Sequence, residues 1–103
     1  MSPARQDRQF MQRGAEQAAA MLRTLGNEHR LLLLCLLIEH GELSVGAMQE
    51  HVELSQSALS QHLARLRDDG LVSTRREAQT IFYRIEDTRV EALVSTLKRV
   101  FCP

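Results

Sequence analysis

The stretch Leu54 to Val72, reading LSQSALSQHLARLRDDGLV, constrains this chain more than any other. It has a start, one apolar stripe, a distinct outer face and a stop. Ser55 can accept a hydrogen bond from the free N–H groups of a first turn, the role of an N-cap. Leu59, Leu63 and Leu66 recur at the +4, +3 spacing of a single helix face. Asp68-Asp69-Gly70 ends the element, because glycine tolerates the left-handed conformation common just past a helix. On the other side, near the helix start, Gln56, Ser57, Ser60 and Gln61 carry short groups that both donate and accept hydrogen bonds. Such side chains suit the base edges of a DNA major groove.

The flanks extend this reading. Ser44 can cap a short helix from Val45 to His51, and Val52-Glu53-Leu54 is a tight connector into the next. Two short helices so joined, the second with a polar N-terminal face, form a helix-turn-helix over residues 44–69. Leu71 to Arg76 and Thr80 to Ile85 are rich in β-branched and aromatic residues around the polar Glu77-Ala78-Gln79. That pattern predicts a hairpin over 71–85, and a hairpin directly after a helix-turn-helix is a wing. Arg75 and Arg76 approach its tip, where they, with Arg65 on the reading helix, are placed to hold phosphates.

The expected fold is therefore mainly α with a β-hairpin wing, a winged helix-turn-helix in a single domain over residues 1–103. At this size a lone core is only moderately stable. No apolar run approaches the roughly 18 residues that a membrane span needs. Leu31 to Ile38 is apolar all round but short, and reads as a buried central helix bracketed by Asn27-Glu28-His29-Arg30 and Glu39-His40. No apolar stretch near the N-terminus resembles a secretory signal, and two cysteines without one suit the reducing cytoplasm.

Net charge is the main point against nucleic acid, although only the groove-facing surface matters. Thirteen Lys and Arg balance thirteen Asp and Glu, for a formal net charge of zero. Arg65, Arg67, Arg75, Arg76 and His62 nevertheless fall in the reading helix and wing, while much of the acid lies elsewhere. Weak non-specific binding is expected, since that term scales with the phosphates neutralised.

The chain ends predict an interface. Met11, Ala15, Ala18, Leu22 and Leu25 repeat at helical spacing in a first helix that Gly14 weakens, so residues 1–14 are expected to fray. A last helix over 88–102 opens on Thr88-Arg89-Val90-Glu91, a capping box, and carries Val90, Leu93, Val94, Leu97, Val100 and Phe101 on one side. These stripes exceed what a compact winged-helix core can cover, so a homodimer is expected, with packing on their own domain as the alternative. A homodimer would set two reading helices about one DNA turn apart, matching an inverted-repeat operator.

Taken together, LSQSALSQHLARLRDDGLV, the RREAQTIFYRI wing and Leu25-Gly26-Asn27-Glu28-His29-Arg30-Leu31 resemble the ArsR/SmtB family of winged-helix repressors. The resemblance covers about Ala15 to Cys102. The ELSVGAMQ stretch and the two cysteines are most similar to its HlyU/BigR branch, in which a dithiol senses reactive sulfur or oxidants. By residue type alone Cys35 is a small core hydrophobe, because free cysteine is among the most buried residues. Lys98 and Arg99 would favour a Cys102 thiolate, and the negative end of the helix dipole would oppose it. The resemblance implies that Cys35 and Cys102 are a redox-sensing pair, with a small oxidant or persulfide as inducer.

Family metal sites use a cysteine in ELCVG-like segments or a His/Asp set on the last helix. Here Ser44 stands at the first place, and Thr88 to Phe101 holds no histidine. His29, His40, His51 and His62 are eleven apart, but Gly41, Gly46 and Ser55 divide them among different helices. No metal site and no cofactor are expected. Metal-responsive or thiol-inert DNA-binding regulation remains the alternative. A thiol-based enzyme is the reading from another class, although no oxyanion site, phosphate loop or paired carboxylates accompany the cysteines.

Overall fold

The computed structural model describes residues 5–102. Its first helical stretch runs through α1 (Arg5–Gln9), a π-helical turn (Phe10–Gly14) and α2 (Ala15–Leu25). Gly14 was expected to weaken this helix, yet it keeps helical dihedrals of φ −67° and ψ −34°. The Phe10 ring lies over it, 3.0 Å from where a Cβ would stand. From Arg5 to Ala20 no residue of this stretch is buried; Met21, Thr24 and Leu25 are.

Asn27 starts α3 (Glu28–His40), its side-chain oxygen accepting from the His29 and Arg30 N–H groups at 3.0 and 3.1 Å. Leu33, Leu34 and Leu37 are fully buried, but Leu32 is 55% exposed and Cys35 half-buried. Leu31, Cys35, Leu36 and Ile38 pack half-buried against the same core, so the run is a central helix as expected, with Leu32 as its exposed exception.

Ser44 caps α4 (Val45–His51) by accepting from Ala47 N–H, and Ser55 caps α5 (Gln56–Asp68) by accepting from Ala58 N–H, both at 3.1 Å. The Gln49 amide donates to the Leu54 carbonyl and closes the turn between them. Leu59, Leu63 and Leu66 bury the inner face of α5 against Met48, Leu71 and Val72. Gly70, at φ 78°, turns the chain out of the helix.

The wing is β2 (Val72–Glu77) and β3 (Thr80–Ile85), antiparallel, with Arg75 opposite Phe82 and Arg76 opposite Ile81. Its turn places Ala78 at φ 56°. A strand that sequence patterning missed, β1 (Leu43–Ser44), pairs with the far side of β3 and makes the order β1-β3-β2. Two residues are too few to show an alternation.

The chain returns through α6 (Arg89–Phe101), which packs on α3 and buries Val90 and Val94. The capping box expected at Thr88 does not form. Thr88 has helical dihedrals and no side-chain cap, and Asp87 Oδ1 accepts from Arg89 N–H at 3.0 Å instead. An ionised carboxylate is the stronger acceptor there, and it also holds the Arg89 guanidinium.

Candidate nucleic-acid interface and thiol pair

With its apolar side inward, α5 turns Gln56, Ser57, Ser60 and Gln61 outward. All four are exposed, and with Ser55 they line one open, shallow depression. They sit within the first two turns, where the cap leaves the side chains clear of other elements.

The arginines divide. Arg65 Nε donates to Asp69 Oδ2 at 2.7 Å, a turn further along α5. The same oxygen accepts the hydroxyl of Thr24 from α2, which is 1% exposed. These two donors, Thr24 foremost, hold the Asp69 carboxyl below the usual carboxylate range. Arg75 lies over the Phe82 ring, 4.4 Å from its centroid, and reaches across β3 to Glu42 through Nε at 2.8 Å and Nη2 at 2.6 Å. Its Nη1 donates to Glu77 at 2.9 Å. Hydrogen bonding to Arg75 pulls the Glu42 carboxyl down and pushes the guanidinium further up. Arg75 therefore ties the wing to β1, with its donors turned to carboxylates. Arg76 is exposed and joins none of the ion pairs found among the described residues.

Sequence reading missed Glu42, Thr24 and Arg30. Arg30 Nε donates to the Thr24 carbonyl at 2.7 Å and fastens α3 to α2. Thr24 had a signal, a hydroxyl between the inward Met21 and Leu25. Glu42 had none, since its partner stands across a strand pairing of two residues.

The histidines were expected to fall on different helices, but His29 and His40 share α3, and the structure pairs the four rings. The His29 and His62 rings lie 5.4 Å apart and join α3 to the reading helix; His40 and His51 lie 5.3 Å apart. Burial, then Arg30 and His29, lowers His62 below the usual histidine range. Among the described residues, no group of three or more His, Cys, Asp or Glu could hold a metal ion.

Both thiols are free. Cys35 stands on α3 and Cys102 caps α6, its N–H donating to the Lys98 carbonyl at 2.8 Å. Helix α3 packs on α6, the helix that ends at Cys102. Burial pushes the Cys35 thiol up, Lys98 opposes this, and Cys102 and Glu39 add to it. Cys102 is exposed.

A capped helix-turn-helix, a three-stranded wing and an outward polar face define a winged helix-turn-helix regulator. Over residues 27–74 the sequence matches the family model described as bacterial regulatory protein, arsR family. The transcriptional activator HlyU of Vibrio cholerae is 50% identical over 94 residues, covering 91% of this chain and 86% of that protein. The HTH-type transcriptional regulator YgaV of Escherichia coli is 47% identical, covering 90% and 94%. Reduced HlyU from V. cholerae superposes with a TM-score of 0.83 over 92% of this chain and 99% of that one, at 50% identity. The transcriptional repressor BigR from Xylella fastidiosa gives 0.86 over 93% and 97%, at 41% identity. The chain belongs to the arsR family of bacterial regulatory proteins. No described helix is long and apolar enough to cross a membrane.

Proposed function

We propose that this chain is a cytoplasmic, homodimeric transcriptional repressor that binds an inverted-repeat operator and releases it when Cys35 and Cys102 are linked. Support for DNA reading comes from Gln56, Ser57, Ser60 and Gln61 on one exposed face of a capped helix. Arg76 meets phosphate directly. Arg65 and Arg75 can do so only in competition with Asp69, Glu42 and Glu77. What supports the switch is that α3, which bears Cys35, packs on α6, which ends at Cys102, with both thiols free. Repression is preferred over activation because a bound regulator that lets go is the simplest output of a covalent link. Of the relatives, BigR of Xylella fastidiosa is a transcriptional repressor and HlyU of Vibrio cholerae a transcriptional activator.

With a persulfide donor the electrons balance simply. The Cys35 thiolate takes the outer sulfur of R–S–SH, forming Cys35–S–SH and releasing RS⁻. The exposed Cys102 thiolate then attacks the inner sulfur, giving Cys35–S–S–Cys102 and HS⁻. Where both thiols are persulfidated, their condensation gives a trisulfide and H₂S. A disulfide needs Cα atoms within about 7 Å, and an inserted sulfur relaxes that limit. Linking α3 to α6 shifts the dimer, and DNA accepts only one spacing of the two reading helices.

Intact mass spectrometry beside an operator-binding assay tests this. Oxidised or persulfide-treated protein should gain the link and lose the operator, and reductant should restore binding. Cys35→Ser and Cys102→Ser should each stay bound. Normal release of either variant would mean that the thiols are inert. On the DNA side, Gln61→Ala should lose roughly 1–3 kcal/mol on the operator and little on random DNA. Arg76→Ala should weaken both alike and flatten the salt dependence. Equal losses on both DNAs for Gln61→Ala would remove that residue from the base-reading set.

A further inference from the structure

Cys35 is reached through a groove of about 640 Å³ between α3 and the end of α4. Its walls carry Glu28 and Glu39 from α3 and Glu53 from the turn after α4, and all three are exposed. Leu32, Leu36 and Val52 give it an apolar floor. His29 and His51 complete the rim, His29 with its Nε2 3.9 Å from Glu28. No lysine or arginine lines the groove among the described residues. Lys98, outside the groove on α6, opposes the upward push that burial gives the thiol. A reagent approaching Cys35 thus crosses apolar surface under three carboxylates.

Resting on the reading of Cys35 as a sensing thiol, we propose that this groove selects the inducer by charge. It admits small sulfur electrophiles that are uncharged or cationic and turns away anionic ones, such as acidic peptide disulfides. The carboxylates focus a negative potential into a low-dielectric cleft, raising the local concentration of cations and lowering that of anions. An apolar floor favours an alkyl substituent over a hydrated charged one.

Cys102→Ser leaves Cys35 as the single thiol of the chain, so the chemistry can be read without DNA. The probes are a trimethylammonium-ethyl and a sulfonato-ethyl methanethiosulfonate. In each, the Cys35 thiolate, its proton released to water, attacks the sulfenyl sulfur. The new S–S bond forms as the S–SO₂ bond breaks, and methanesulfinate leaves with the electron pair. Rates are followed by intact mass and divided by those for free N-acetylcysteine amide. The cationic probe should react roughly fivefold or more faster than the anionic one at low salt. The ratio should fall toward one in molar salt, where the screening length is about 3 Å. It should also fall in the double variant Glu39→Gln, Glu53→Gln at low salt. An anionic probe that reacts equally fast overturns the proposal, as does a ratio the double variant leaves unchanged or a thiol neither probe reaches. Loss of this selectivity would not touch the switch, which is read by operator release, and an inert switch would not abolish the selectivity.

Discussion

Arg75 and Arg76 are adjacent in the chain and opposite in role, which shows how little a residue's type decides before its partners are known. Both read as wing cations. One spends its donors on Glu42 and Glu77 over the Phe82 ring, and the other faces out. That difference was hidden from the sequence, because Glu42 meets Arg75 only after β1 pairs across β3. Local chemistry was better announced: Ser44, Ser55 and Gly70 stand where their caps and turn require them. The histidine spacing carries no such information: His29 and His40 share α3, and only packing brings His29 onto His62 and His40 onto His51. His62 gives a prediction with a definite sign. Its folded value lies below the usual histidine range of about 6.5, so the unfolded chain takes up the proton first. Its neutral form belongs to the fold. Stability is therefore fully present above that range and declines as pH falls through it. Urea midpoints measured from pH 7.5 to 5 should drop less steeply in His62→Gln than in wild type. Parallel slopes would mean that His62 titrates alike in both states.

At the scale of elements, the reading helix is fastened at its far end. Thr24 on α2 and Arg65 on α5 both donate to Asp69, Arg30 ties α3 to the Thr24 carbonyl, and His29 touches His62. Through these contacts α5 meets both the α2 helix and the helix that carries Cys35. A shift of α3 can thus reach the base-reading face. The helix-turn-helix and hairpin were legible because caps, periodicity and turn residues act over a few positions. This brace was not, since it joins residues far apart in sequence. Nor was the start of α6, where Asp87 outcompetes Thr88 as the cap. Thr24→Val keeps the shape and deletes the hydroxyl, leaving Asp69 to Arg65. It should cost about 1–3 kcal/mol in urea unfolding, the usual loss when one partner of a buried hydrogen bond is removed. Amide exchange in the last turn of α5 should quicken as well. Unchanged stability together with unchanged exchange would reduce the Thr24–Asp69 contact to an incidental one.

For the molecule as a whole, the most telling feature is apolar surface that the protomer leaves open. Leu22 is 59% exposed, Val100 68%, Phe101 78% and Met11 71%, on the helices at the two ends of the chain. Between α2 and α6 runs an apolar groove lined by Ala18, Met21, Ala92 and Leu93. No residue from Arg5 to Ala20 is fully buried in its own domain. A helix of that length is marginal in water without tertiary packing. In the proposed dimer a second copy would cover these faces and give the stretch its partner. Leu22→Glu tests this cleanly. In the protomer it places a charge where solvent already reaches, while in a dimer it buries a carboxylate without a partner. Sedimentation should find wild type dimeric and the variant monomeric. Helix content should drop by part of the first helix, and operator affinity should fall on the order of a hundredfold or more as one half-site is lost. If Leu22→Glu remains a dimer with full operator affinity, α2 does not form the interface and the exposed stripe must serve some other surface.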